Sequence, residues 1–219
     1  MRRVLILRPE PGASETLARA GKLGLDAVSI PLFEVESVAW ELPDPRPFDG
    51  LLLTSANAVR FSGARLNDLA HLPVYAVGEA TAEAARNAGL EVVTAGDSGV
   101  GRLLDSVAPD VRLIHLAGED RKVPASRQNV TRVTVYRSKP VVAPGLAAGK
   151  ASIALIHSPR AGRRFAELVT QRSAIAIAAI SPAAAEAAGD GWESVQVAER
   201  PADDAMLALA ARLCNKPDA

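Results

Sequence analysis

The sequence predicts an α/β protein of two lobes, each built on a doubly wound parallel sheet, joined by a two-stranded antiparallel connector. Three observations carry this. One order of events occurs twice: residues 52–95 are echoed by residues 155–198 at a constant offset of 103, with 12 of 44 positions identical. Most of those identities are alanine, so the weight rests on the order. Each copy runs apolar strand, Ser-containing turn, helix, second strand, small-residue turn, Ala-rich helix, third strand, the mark of one unit used twice. Strands alternate with helices elsewhere too, as in parallel sheets with right-handed crossovers. Finally, residues 33–38 and 133–136 alternate apolar and polar side chains and are expected to pair where the chain leaves one lobe and returns to it.

In order, residues 4–7 form a short apolar run suited to a strand buried on both faces. Pro11-Gly12 turns, Ser14 is the expected N-cap, and a helix is predicted over 15–23, stopped near Gly24. A second strand follows at 27–30, ended by Pro31. Residues 43–47 read as a proline-rich surface turn. The middle segment supplies strands at 51–54, Val74–Val77, 92–94 and 113–116, with Gly89 capping the helix that begins near Glu79. The last segment supplies strands at 152–157, 174–180 and Ser194–Val197. Asp203 is the expected cap of a final helix over 204–213.

Counting strands sets the boundaries. The last segment has three and the opening unit two, which together make one five-stranded sheet. The first lobe is therefore expected to be discontinuous, residues 1–33 plus 137–219, with an inserted lobe at 38–132 and the connector at about 33–38 and 133–136. The middle lobe has four strands, or five with the connector's end. Both lobes fit the flavodoxin-like class, in which ligands sit beyond the carboxyl ends of the strands.

The chain has 219 residues, 48% of them hydrophobic, and 25 basic against 25 acidic side chains. The apolar content suffices for a core, and the balanced charge argues against a protein that lives on nucleic acid or an anionic membrane. Met1-Arg2-Arg3 is followed by only four apolar residues, too few for a signal peptide or membrane span. The single Cys214 permits no internal disulfide and fits a reducing compartment. The expectation is a soluble, cytoplasmic protein.

The residues just after each predicted strand are small or hydroxyl-bearing. They are Thr54-Ser55-Ala56-Asn57, Gly78-Glu79-Ala80-Thr81 and Ala117-Gly118-Glu119 in the middle lobe. In the first lobe they are Arg8-Pro9, His157-Ser158-Pro159-Arg160 and Ser181-Pro182-Ala183. Such turns open onto helix N-termini, where backbone N–H groups and the helix dipole favour anions. Each serine read singly is a helix cap; several such turns aimed at one cleft between the lobes point to a polyanionic ligand. Arg8, Arg121 and Arg160 can pair with carboxylates or stand as solvated surface charges. Tyr136 is the one candidate acid, as a phenol able to give a proton, or else an aromatic that packs across the connector.

Familiar catalytic sets are missing. His71, His115 and His157 show no metal-ligand spacing, so no metal is expected. Gly99-Val100-Gly101 lacks the third glycine of a dinucleotide fingerprint, and there is no nucleophile elbow or P-loop. Cys214 has no activating set near it in sequence.

Taken together, several stretches resemble the uroporphyrinogen-III synthase family over nearly the whole chain. They are VLILRPEPGA from Val4, DGLLLTSANAV from Asp49, YAVGEATA from Tyr75, LAGEDR from Leu116 and VTVY from Val133. His157-Ser158-Pro159-Arg160 followed by Phe165, and Ala198-Glu199-Arg200-Pro201, complete the set. The resemblance implies a bilobal fold joined by a two-stranded ladder. It also implies cyclisation of hydroxymethylbilane to uroporphyrinogen III, with loss of water and inversion of ring D, in tetrapyrrole and heme biosynthesis. No metal or organic cofactor is implied. In the family the tyrosine matching Tyr136 is the favoured proton donor, and the Thr81 position lines the cleft. Where members often read Gly-Pro-Thr-Thr this chain reads Ser181-Pro182-Ala183-Ala184, which removes two side-chain hydroxyls and leaves main-chain donors. A monomer, a transient handover from hydroxymethylbilane synthase, and no nucleic-acid or membrane partner are expected. The alternatives are a non-catalytic bilobal module that binds small anions, or an inactive homologue. The lack of a signal peptide and of a helix-turn-helix segment counts against the module, and the Ala183-Ala184 change is the one hint of lost activity.

Overall fold

The structure is a computed structural model and describes residues 2–96, 99–120, 126–142 and 152–215. The chain divides into two compact units: Met1–Glu34 with Pro140–Ala219, and Val35–Lys139. Among the described residues, no helix is long and apolar enough to cross a membrane.

The discontinuous unit starts with β1 (Arg3–Ile6), α1 (Gly12–Lys22) and β2 (Ala27–Ser29). Its later part contains β9 (Ser152–Ile156), α5 (Pro159–Leu168), β10 (Ile175–Ala179), α6 (Pro182–Ala188), β11 (Ser194–Val197) and α7 (Asp203–Cys214). The sheet order is β11-β10-β9-β1-β2, and all four pairings are parallel. Because side chains alternate along a strand, continuous apolar runs bury both faces. Leu5, Leu7, Ala154, Ile156 and Ile177 pack on one side with Phe165 and Trp192, whose rings stack 5.1 Å apart. Val4, Ile6, Ile153, Leu155 and Ala178 pack on the other with Met206, Leu207 and Leu213 of α7 and Ala13 and Ala20 of α1.

The continuous unit holds β4 (Gly50–Leu53), α2 (Ala56–Phe61), a 3₁₀ helix at Gly63–Leu69, β5 (Val74–Val77), α3 (Glu79–Asn87) and β6 (Val92–Gly96). Then come α4 (Val100–Asp105), β7 (Arg112–Gly118) and β8 (Asn129–Pro140). The six-stranded sheet has the order β3-β8-β7-β4-β5-β6, with β3 (Phe33–Ser37) at its edge. Leu51 and Leu53 face one core layer and Leu52 the other. The duplicated sequence order is the duplicated structure: β4-α2-β5-α3-β6 corresponds to β9-α5-β10-α6-β11. Ser55 and Ser158, at matching places, both cap the helix that follows.

Three local expectations differ from the structure. The middle sheet has six strands, not four or five, because both connector segments, β3 and β8, join it, and β8 is much longer than residues 133–136. It pairs in parallel with β7 from Arg112↔Asn129 to Gly118↔Tyr136, and β3 lies on its other side. Ser14 is not an N-cap: α1 begins two residues earlier, and the Glu10 carboxylate accepts from both the Ser14 N–H and its hydroxyl. Asp203 does not cap α7 either. Ala202 holds the N-cap position, and the Asp203 carboxylate turns towards other partners. Gly89 ends α3 in the left-handed region at φ 80°, where a glycine costs least, and the Leu90 N–H reaches back to the Ala85 carbonyl.

Candidate functional site

In a doubly wound sheet, ligands gather beyond the carboxyl ends where the strand order reverses. In the discontinuous unit that point lies between β1 and β9, and the residues just past them are Arg8 and His157. Both are drawn to Asp203. His157 Nε2 lies 3.1 Å from Asp203 Oδ1, and Thr16, fully buried on α1, donates to the same oxygen at 2.8 Å. Arg19 donates to Oδ2 at 2.8 Å, and Arg8 Nη1 approaches Oδ1 at 3.6 Å. Burial of the carboxyl works against its ionisation. The hydrogen bonds from His157, Arg19 and Thr16 outweigh that and hold Asp203 well below the usual carboxylate range. An ionised carboxylate only accepts, so Nε2 of His157 carries the proton it shares with Asp203. Nδ1 is buried with no partner among the described residues.

Ser158 and Ser181 start α5 and α6 as extended residues, and their Oγ atoms accept from Ala161 N at 3.2 Å and Ala184 N at 3.3 Å. In both cases a proline at the start of the helix gives up an N–H that has no intrahelical use. Ala183 is exposed and Ala184 buried. The Arg160 guanidinium lies 4.4 Å from the Phe33 ring centre, a cation–π contact.

In the continuous unit the reversal falls between β4 and β7. Thr54, past β4, has its Oγ1 3.0 Å from Nε2 of His115, a fully buried histidine on β7. Ser55 caps α2 by accepting from Asn57 N at 3.2 Å, and Asn57 Oδ1 accepts from Arg60 at 3.3 Å. Gly78 opens α3 at φ 83°, a conformation a side chain would strain, and its N–H donates to the Gly96 carbonyl at 2.7 Å. Ala80 is exposed, whereas Thr81 is buried with its N–H bonded to the Gly78 carbonyl. The Gly118 and Glu119 carbonyls both accept from Arg132.

Tyr136 is buried to 9% exposure on β8. Its ring fills the space above Gly118, 6.3 Å from the Phe61 ring centre. A register shift between Ala117 and Gly118 brings the two residues opposite each other, and the Glu119 N–H donates to the Tyr136 carbonyl. Arg121 lies outside the described residues.

The structure thus gathers Arg8 with His157, and Gly118 with Tyr136. It leaves Ser55, Ser158 and Ser181 as caps, each with a hydroxyl hydrogen still to donate. Sequence reasoning missed Thr16, considered His115 only as a metal ligand, and took Asp203 for a cap. No local signal marks Thr16, because its partner Asp203 is 187 residues away. Among the described residues no three His, Cys, Asp or Glu side chains converge as metal ligands do.

A family model described as uroporphyrinogen-III synthase HemD matches residues 14–208. A uroporphyrinogen-III synthase of Chlorobaculum parvum is 31% identical over 101 residues, a stretch that makes up 42% of this chain and 41% of that protein. The chain therefore matches less than half the length of that curated relative. Among solved structures, uroporphyrinogen-III synthetase from Helicobacter pylori superposes with a TM-score of 0.71 at 20% identity, over 97% of this chain and all of that one. A mutant uroporphyrinogen III synthase from Thermus thermophilus superposes at 0.55 and 22% identity, over 99% of this chain and all of that one. At these identities the two structures speak for the fold.

Proposed function

Because the chain belongs to the uroporphyrinogen-III synthase family, we propose that it cyclises hydroxymethylbilane to uroporphyrinogen III, inverting ring D and releasing water. The observation that carries this is the extent of the family match. Residues 14–208 take in nearly all the candidate turns of both units, from Thr54 to Ala183. The turn chemistry agrees with it. The substrate carries eight carboxylates, and the strand ends of both units offer hydroxyls, small residues and the Arg8 guanidinium.

The reaction is largely driven by the substrate. A pyrrole nitrogen pushes out the terminal hydroxyl, which leaves as water once protonated, and an azafulvene remains. Ring D attacks that carbon through its substituted position to give a spiro intermediate, which fragments and recloses with ring D turned over. Rearomatisation returns one proton, so the sum is substrate to product plus water. Without a protein the same azafulvene closes directly to the symmetric type I isomer. The protein's work is positioning, and holding reacting carbons together can supply several kcal/mol, of order 7–11 in well-oriented systems.

Tyr136 is the proposed proton donor to the leaving hydroxyl. Its ring is fixed by Gly118, and the hydroxyl makes no hydrogen bond among the described residues. Arg8, Arg160 and His157, with the turns at Thr54-Ser55-Ala56-Asn57, Gly78-Glu79-Ala80-Thr81, Gly118, Ser158 and Ser181-Pro182-Ala183, are proposed to hold the carboxylates. The protein is proposed to act as a cytoplasmic monomer that takes substrate in transient handover from hydroxymethylbilane synthase.

The test is a coupled assay: porphobilinogen and a deaminase generate hydroxymethylbilane, this protein is added, and the oxidised porphyrin isomers are separated. Type III product is expected. Type I alone, from folded protein, would overturn the reading.

A further inference from the structure

Arg8 adopts a pose that only its surroundings allow. Its guanidinium folds back over the start of α1, so that a Cβ built on Gly12 would fall 2.4 Å from Nε and 2.5 Å from Cζ. The residue beneath must therefore be glycine for the side chain to lie there. Among the described residues, Arg8 makes two polar approaches, both by Nη1, at 3.4 Å from Thr16 Oγ1 and 3.6 Å from Asp203 Oδ1. Nε and Nη2 meet no acceptor among the described residues, and the side chain is 32% exposed. Nη1 is tied, while Nε and Nη2, which lie over Gly12, form the edge of the guanidinium that receives a carboxylate in a fork.

What ties it is Asp203. Thr16 spends its hydroxyl hydrogen on Asp203 and so turns a lone pair towards Arg8 Nη1. His157 and Arg19 hold the two carboxylate oxygens from the other sides. His157 is 9% exposed with Nε2 on Asp203 and Nδ1 buried, so it acts on this assembly rather than reaching out. Three elements, the turns after β1 and β9 and helix α1, converge on a single carboxylate carried by the first turn of α7.

We propose that Asp203 is a positioning residue that, through Thr16, fixes Arg8 over Gly12 with Nε and Nη2 free to take a carboxylate of the substrate. This rests on the proposed function for the identity of that substrate. Asp203 itself touches neither substrate nor reacting atoms.

The experiment uses the full chain with Asp203→Asn, Asp203→Glu, Thr16→Val and Gly12→Ala. The first readout needs no substrate: nitrogen relaxation of the Arg8 Nε–H, assigned by its loss in Arg8→Lys. In the parent protein Arg8 is expected to be ordered, and in Asp203→Asn and Thr16→Val its order parameter should fall into the flexible range, below about 0.6. The second readout is the kinetics of type III formation. Loosening Arg8 removes binding that substrate and transition state share, so KM should rise about tenfold with kcat within about twofold. Asp203→Glu should recover part of that loss. Gly12→Ala, which keeps every charge, should raise KM in the same way by displacing the guanidinium.

An Arg8 that stays equally ordered in Asp203→Asn would overturn the proposal, as would a loosened Arg8 with an unchanged KM. If Asp203→Asn does not fold, Thr16→Val decides by the same two readouts. A parent chain that makes no type III product sinks the proposed function instead, while the Arg8 relaxation still decides whether Asp203 holds it.

Discussion

The ring of Tyr136 occupies the space that a side chain on Gly118 would need. A Cβ there would sit 2.6 Å from Cε2 and Cζ and 2.9 Å from the phenolic oxygen. The absence of one methyl group on β7 therefore sets where the candidate acid on β8 can lie. Gly118→Ala should displace the ring and lower stability by about 1–3 kcal/mol, the usual range for overpacking a filled site. Urea unfolding measures the stability, and an unchanged midpoint would mean the ring has room to move.

Tyr136→Phe keeps the ring and removes only the hydroxyl. The melting temperature should stay near that of the parent, since the hydroxyl makes no hydrogen bond among the described residues. The rate of type III formation should fall by about 10²-fold or more, the range expected when a general acid is lost. Parent turnover in this variant would take Tyr136 out of the chemistry.

Gly162 marks a close crossing of α5 and α6. A Cβ there would lie 2.9 Å from the Ala184 carbonyl oxygen and 2.9 Å from the Ala188 nitrogen, both backbone atoms that cannot rotate away. Gly162→Ala should cost about 1–3 kcal/mol or more by forcing the helices apart. Thermal unfolding of the purified variant checks this, and a melting temperature equal to the parent's would show the pair can slide.

Asp203 links stability to pH. Its folded pKa is depressed, so its contribution is fully present above the ordinary value of 3.8 and fades as pH falls through the lower folded value. The stability difference between the parent and Asp203→Asn should be largest near neutral pH and shrink below about pH 4. Denaturant titrations at a series of pH values measure it; a difference that stays constant down to the acid limit would contradict the assignment.

How much of this was legible follows from the range of the interactions involved. β5 and β11 fall at Val74–Val77 and Ser194–Val197, as read, because apolar or β-branched runs bounded by turn residues declare themselves locally. Ser55, Ser158 and Ser181 were recognisable for the same reason: each acts on an N–H two or three residues away. Ser14 misled because α1 begins at Gly12, which places Ser14 inside the first turn, where its own N–H is an orphan donor taken up by the Glu10 carboxylate. Asp203 misled for a deeper reason. A capping aspartate and one neutralised by Arg19, His157 and Thr16 look the same in sequence, and only the fold brings α1 and the end of β9 to it. The extra length of β8 was equally hidden, since its polar ends, Asn129 and Lys139-Pro140, become strand by pairing rather than by propensity.

The two sheets share one strand layout but enter it at different points. β2-β1-β9-β10-β11 and β8-β7-β4-β5-β6 run through corresponding positions, yet the first sheet is cut open between its second and third strands in chain order to admit the other unit. Leu5 pairs with Ala154 across the inserted unit, whereas at the corresponding place Leu51 pairs with Ile114 inside one continuous stretch. On a ribosome adding about 5–20 residues per second, β1 emerges first and waits about seven to thirty seconds for its neighbour β9. Residues 35–139 complete their own sheet in that interval. We expect nascent chains halted just past residue 139, with the exit tunnel cleared, to protect β4 and β7 from proteolysis while residues 2–30 stay open to cleavage. The first strand made is thus among the last to find its place, and that delay is the period in which the newborn chain most needs shelter from aggregation.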